Sequence, residues 1–299
     1  MPQQLLNLLD FKQRNILIIT YKKTLTMRLI RLLSILILST VALFAEDNAQ
    51  EFKSKFGIFG NVGYNMHSAD FSKVPNCPSC SPGYRDGNGI GYAFGLAYEL
   101  PFSRMFALEL RLSYYDFSAK LTRDENQNIL QKFIPVNAMI EHTFDATLNS
   151  IGLEPMAKYQ VMDNLFINAG LHIGTMITKD FSQKEEIINP RGISFFDDGE
   201  DTGSPVRNEF SGELQNTPSL YLAPLVGVSY RLPMNKQKTL LIEPELYYTL
   251  GVSKLVDNSL VSKWSANSLR FGLALKYSPK DTEPILDKFE KFYKIDTVQ

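Results

Sequence analysis

The stretch GIGYAFGLAYELPFSRMFALELRLSYY, residues 89–115, sets the reading of the fold. About the turn Pro101-Phe102-Ser103-Arg104 it divides into two arms of strict two-residue periodicity. On the first arm Ile90, Tyr92, Phe94, Leu96, Tyr98 and Leu100 share one face, and Gly89, Gly91, Ala93, Gly95, Ala97 and Glu99 share the other. On the return arm Phe106, Leu108, Leu110, Leu112 and Tyr114 oppose Ala107, Glu109, Arg111 and Ser113. Such alternation is a strand signal, because a helix repeats its apolar positions every three to four residues. Each arm suits a tilted strand crossing a bilayer, roughly 9–11 residues. Charges in mid-strand on the second face imply a wet interior. The stretch reads as a hairpin of a membrane barrel.

The same period recurs along the chain, giving eight segments in all. The first, Lys55 to His67, sets Phe56, Ile58, Val62, Tyr64 and Met66 against Gly57, Asn61, Gly63 and Asn65. The hairpin supplies the second and third. The fourth runs from Thr147 to Val161, and the fifth follows a tight turn at Met162-Asp163-Asn164, its apolar face ending at Ile177. The sixth, seventh and eighth are Ser219 to Leu232, Thr239 to Val252 and Ser268 to Ser278. Eight is an allowed, even strand count. Connections alternate in length: short at 101–104, 162–163 and 233–238, long at about 68–88, 118–146, 179–218 and 253–267. Short turns at one end and long loops at the other mark outer-membrane barrels. A soluble barrel or a β-sandwich has no reason to sort its loops this way. Pro155, Pro224 and Pro244 interrupt three of the segments, and β-bulges are expected there.

Composition agrees with this class. Lysine plus arginine (31) nearly cancel aspartate plus glutamate (32), so nothing points to nucleic acid. The hydrophobic share of 44% is diluted by alternation, and the presumed mature chain has no apolar run long enough for a spanning helix. Near the start, Met27-Arg28-Leu29-Ile30-Arg31 forms a basic n-region before an apolar core from Leu32 to Phe44, with cleavage expected after Ala45 or Ala42. Residues 27–45 therefore read as a signal peptide, residues 1–26 as an upstream extension from a misassigned start, and 46–54 as a periplasmic lead. The barrel occupies 55–278 and a periplasmic tail 279–299.

The alternation, the loop sorting, and stretches such as Asp145-Ala146-Thr147-Leu148-Asn149-Ser150-Ile151-Gly152-Leu153-Glu154-Pro155 and Ala274-Leu275-Lys276-Tyr277-Ser278-Pro279 resemble OmpA-type outer-membrane β-barrel domains of Gram-negative bacteria. The resemblance is specific to fold and weak about activity. Relatives often add a periplasmic peptidoglycan-binding domain, for which residues 279–299 leave no room. Within that tail Ile285, Phe289, Phe292 and Tyr293 form an apolar stripe that suits either a short amphipathic helix or a frayed end.

The interior is the place for chemistry. Five acids, Glu99, Glu109, Glu154, Glu243 and Glu245, face inward with five bases, Arg111, Lys158, Arg231, Arg270 and Lys276. An eight-stranded barrel has room only for its own side chains, and buried charges must pair. Counting up from the turns puts Arg111 level with Glu154, Glu245 with Arg270, and Glu109 near Lys158. A cross-strand set of ion pairs plugging the lumen is expected. Tyr98, Phe106, Tyr159, Tyr230 and Tyr277 at one rim, and Tyr64, Tyr114 and Tyr248 at the other, form the aromatic girdles of a membrane barrel.

Other motifs carry less. Cys77-Pro78-Ser79-Cys80, in the first long loop and crowded by prolines, reads as a local disulfide rather than a redox pair. Asp197-Asp198-Gly199-Glu200-Asp201 lacks calcium-loop spacing and reads as a solvated or lipopolysaccharide-facing loop. His67 alone makes no zinc site, His142 with Asp145 lies at the base of the second loop, and His172 points inward. No serine–histidine–acid arrangement is evident in the sequence. No catalytic residue, metal ligand or cofactor is assigned. The reading is an all-β, eight-stranded antiparallel up-and-down transmembrane barrel of the outer membrane, with both termini periplasmic. Its role is structural or in surface recognition, with a narrow porin-like passage as the alternative and a lipid- or peptide-modifying enzyme a distant third. Expected partners are outer-membrane lipid and lipopolysaccharide, the barrel-assembly machinery, and a periplasmic or surface protein, with no nucleic acid.

Overall fold

A computed structural model of the chain describes residues 53–71, 83–103, 105–131, 134–197, 200–257 and 261–279. The leader, the Cys77 and Cys80 pair, and the tail beyond residue 279 lie outside the described residues. The strands are β1 (Lys55–Phe71), β2 (Tyr84–Pro101), β3 (Phe106–Asp116), β4 (Ala119–Gln131), β5 (Ile134–Met162), β6 (Leu165–Asn189), β7 (Phe196–Asp197), β8 (Glu200–Asp201), β9 (Val206–Glu213), β10 (Tyr221–Tyr230), β11 (Leu232–Pro233), β12 (Leu240–Thr249) and β13 (Val261–Tyr277).

Eight of them close a ring in the order β1–β2–β3–β5–β6–β10–β12–β13, every neighbouring pair antiparallel. Closure is made by β13 against β1, from Phe56 opposite Tyr277 to Tyr64 opposite Leu269. A closed ring leaves no unpaired ladder in the lipid layer, where such groups would each cost several kcal/mol. The apolar face points outward on every ring strand: Ile90 is 69% exposed, Phe271 64% and Val62 61%. So continuous a belt far exceeds the few hundred Å² that a soluble monomer leaves bare, and lipid is its natural solvent. The molecule is a transmembrane β-barrel of the up-and-down type.

The expected loops at 118–146 and 179–218 are corrected by the structure. β5 and β6 run on for 29 and 25 residues. Beyond the belt they pair with β4 and β9, making a sheet in the order β4–β5–β6–β9. The sequence period broke because of a bulge. Ser150 pairs with Met176 but Asn149 pairs with Thr178, so β6 gains one residue there. One extra residue swaps the faces of everything after it. Below the bulge Phe166, Asn168 and His172 are buried; above it Phe181, Gln183, Glu185 and Ile187 are.

Bulges at the three prolines do not occur. Register runs unbroken through Leu153 opposite Ile173 to Met156 opposite Gly170, through Pro224 opposite Leu171, and through Pro244 opposite Leu273. A strand residue directs its N–H to one neighbour only, so each proline removes one bond on one side. Each sits where that ladder stops or skips: β10 meets β12 only from Leu225, and the last β12 residue paired with β10 is Glu245. Pro224 still accepts from the Leu250 N–H at 2.8 Å.

Candidate functional site

The lumen is filled in layers. At the short-turn mouth Lys158 Nζ lies 2.7 Å from Glu243, 3.0 Å from Glu109 and 3.4 Å from Glu99. Lys276 Nζ meets the same three carboxylates at 2.5 Å (Glu109), 2.7 Å (Glu243) and 2.9 Å (Glu99). Arg231 donates to Glu243 at 2.5 Å and to Glu99 at 2.7 Å, and Lys55 reaches Glu99 at 2.8 Å. Two ammonium groups thus bridge three carboxylates that would otherwise repel. Nearest oxygens of Glu99, Glu109 and Glu243 fall within 4.8 Å of one another, a spacing a divalent cation uses, but the lysine nitrogens already stand between them.

One layer up, Arg111 Nε donates to Glu109 at 2.6 Å while its two terminal nitrogens grip Glu245 at 2.9 and 2.6 Å. This is the bidentate fork that makes arginine–carboxylate pairs strong. The guanidinium lies over the Phe59 ring at 4.4 Å. Gly95 makes that possible, since a Cβ there would press 3.1 Å from Phe59 and into the Leu112 carbonyl. Asn61 and Tyr247 complete the layer, Asn61 donating to Glu245 and the Tyr247 hydroxyl accepting from Arg111 and Asn168.

The third layer joins Arg270 to Glu154 at 3.0 Å. Glu154 also lies 3.2 Å from His172 Nδ1, and His172 Nε2 lies 3.0 Å from Ser150 Oγ. Serine, histidine and acid therefore do come together, which the sequence did not reveal. The order matches a hydrolase relay, but Ser150, Glu154 and His172 are all 0% exposed. No scissile bond reaches that hydroxyl, and a nucleophile needs a substrate atom about 3 Å away. The trio is enclosed within the lumen packing.

All ten residues assigned to the lumen thus lie inside it in ion pairs; of the pairs counted by depth, Glu109 with Lys158 forms at 3.0 Å and the other two re-partner. Arg111 is opposite Glu154 in register yet bonds Glu109 and Glu245, and Arg270 bonds Glu154 rather than Glu245. Arg111 and Lys276 cross the narrow interior to Glu245 and Glu109, while Lys55–Glu99 and Lys158–Glu109 pair along the wall. Lys55, Tyr247 and Phe59 were missed, although each shares the odd-numbered inward face of its strand with a residue that was read correctly.

Aromatic residues close the long-loop end. Phe71, Tyr84, Phe144, Phe181 and Trp264 pack with ring centroids 4.9–5.8 Å apart. Beneath them Trp264 Nε1 donates to His67 Nδ1 at 3.0 Å, and His67 Nε2 is 2.7 Å from the Phe117 carbonyl. An indole N–H only donates and a carbonyl only accepts, so His67 is neutral with its proton on Nε2. Farther out the sheet extension has its own small core, Ile129, Ala138, Ile140, Ile187 and Phe195. Burial there pushes the Glu185 carboxyl up, but His142, Arg207 and Asn208 outweigh it and hold it down at about 2.

No protein-family model and no curated protein matches the sequence. Solved structures that are similar include Ail, the attachment invasion locus protein of Yersinia pestis, at 13% identity, covering 76% of this chain and 100% of that one with a TM-score of 0.33. Neisserial surface protein A gives 11% identity over 75% and 97% of the two chains with a TM-score of 0.32. The outer membrane protease OmpT of Escherichia coli gives 11% over 79% and 100%, also at 0.32. Likeness at this level carries no statement about activity.

Proposed function

We propose that the chain is a non-enzymatic outer-membrane barrel of the OmpA-like kind that blocks its own lumen and holds a strand-built platform above the membrane for support or recognition. One observation carries the reading: the interior is occupied from the charge layers to the aromatic cap, with Glu109, Arg111, Glu154 and Lys158 all 0% exposed. A conducting pore leaves its charged lining wet, whereas these charges neutralise one another. Short turns belong on the periplasmic side and the β4–β5–β6–β9 sheet outside, with the termini periplasmic. Lipopolysaccharide and phospholipid surround the belt, and the barrel-assembly machinery inserts it. The platform is what is offered to a surface partner.

Planar-bilayer recording on the folded full chain tests this. Silence across the usual voltage range is expected. Steady, reproducible conductance steps would replace the plugged barrel with a narrow passage.

A further inference from the structure

Beyond the belt, one buried histidine is placed so that its neutral form cannot be satisfied. His142 on β5 is 4% exposed. Its Nδ1 lies 3.5 Å from Oε1 of Glu185 on β6, and its Nε2 lies 3.6 Å from Oε2 of Glu125 on β4. A neutral imidazole has one N–H and one lone pair. Whichever nitrogen carries the proton, the other aims its lone pair at a carboxylate, and both groups are acceptors. Neither ring nitrogen closes a hydrogen bond. Only the imidazolium donates at both ends.

The surroundings fit a proton held in this position. Arg123, His142, Glu185 and Arg207 are register partners in one row across β4, β5, β6 and β9. The two guanidinium groups oppose a further positive charge, but each is engaged elsewhere. Arg207 donates to Glu185 Oε2 at 2.8 Å and to Gln127 at 3.3 Å, leaving Oε1 toward His142, while Arg123 reaches the Gly83 carbonyl at 3.4 Å. From β2, Tyr84 adds a neutral ring packed on Phe144. Lys184 and Glu186 pair with each other at 2.6 Å.

We propose that His142 is a proton-operated clasp: uptake of one proton in mildly acidic surroundings ties β4 to β6 through Glu125 and Glu185 and tightens the extension. The sign follows from linkage. A proton that completes both contacts of the buried ring only in the folded sheet stabilises that sheet as pH falls. Glu185 keeps its charge throughout mild acid, so the clasp stays closed until much stronger acid.

The test is amide protection of residues 134–148 and 181–187 in the full chain in lipid vesicles, normalised to intrinsic exchange, at pH 8 and pH 5.5. Protection there is expected to rise several-fold toward the lower pH, bounded at tenfold per pH unit for one proton, while β3 and β12 stay flat. Glutamine keeps one donor and one acceptor without titrating, so His142→Gln abolishes the rise. Glu125 is 40% exposed, so Glu125→Gln folds and diminishes the rise. A flat wild-type profile, or an undiminished rise in either variant, overturns the clasp.

Discussion

Two strands, β5 and β6, run through both the lumen wall and the extension, and they follow opposite rules in each. Along β5, Glu154 and Lys158 point inward where lipid surrounds the wall, while Ala138, Ile140 and Phe144 point inward above it. On β5 the inward parity never changes; its chemistry does. Inside the bilayer the outer face must be apolar, so polarity is forced onto the axis. Above it water takes over the outer face, and the interior reverts to the aliphatic and aromatic core of a soluble protein. The aromatic cap of Phe71, Phe144 and Trp264 marks the changeover. What solvates the outside decides what fills the inside.

The comparison predicts unequal sensitivity to loss of charge. Lys276→Met leaves three buried carboxylates sharing one fewer cation, and removing one partner of a buried pair costs roughly 3–5 kcal/mol. Urea unfolding in vesicles should show that loss, whereas Lys184→Met, whose pair with Glu186 is exposed, should change stability by less than about 1 kcal/mol. Equal effects would break the distinction. At the changeover itself, Phe144→Ala opens a cavity in the cap, and aromatic truncations in cores cost roughly 3–5 kcal/mol. The effect should fall on extension and barrel together, because Phe144 contacts rings from β1, β2, β6 and β13.

The outer faces give the complementary contrast. Leu273, midway along the belt of β13, should lose roughly 2–4 kcal/mol on replacement by arginine. Ser182→Arg, on the wet face of β6, should stay within about 0.5 kcal/mol. Comparable losses would mean that the extension also lies against lipid.

This reversal explains what the sequence made legible. Barrel strands were readable because lipid demands apolar residues at every second position, as from Ile90 to Leu100. β4 was unreadable: Arg123 to Asn128 is a polar run whose register partners all lie on β5, indistinguishable by composition from a loop. β6 was lost at Ile177 because the bulge reverses its faces, and no residue type announces a bulge. Inward charges were visible from parity alone, but of the three pairs counted by depth only Glu109 with Lys158 forms. Register reports depth on a wall, and the long side chains of Arg111 and Lys276 span the barrel instead.

The smallest effect expected is also the one confined to the extension. Glu185 is held down at about 2, against an ordinary carboxylate near 4.5, with Arg207 as its closest cation. A group whose value is depressed by folding stabilises the fold fully above its unfolded value and loses that contribution as pH falls toward the folded one. The extension should therefore loosen between about pH 4.5 and pH 2, read as cleavage within residues 119–148 and 179–213 by pepsin, which acts in that range. Glu185→Gln removes this portion of the acid response, because an amide cannot take up the proton. The barrel should stay intact throughout, since lipid screens its wall from the protease. Cleavage of β3 or β12 at the same pH would show that the two regions share one acid-sensitive core, against the division argued from their opposite interiors.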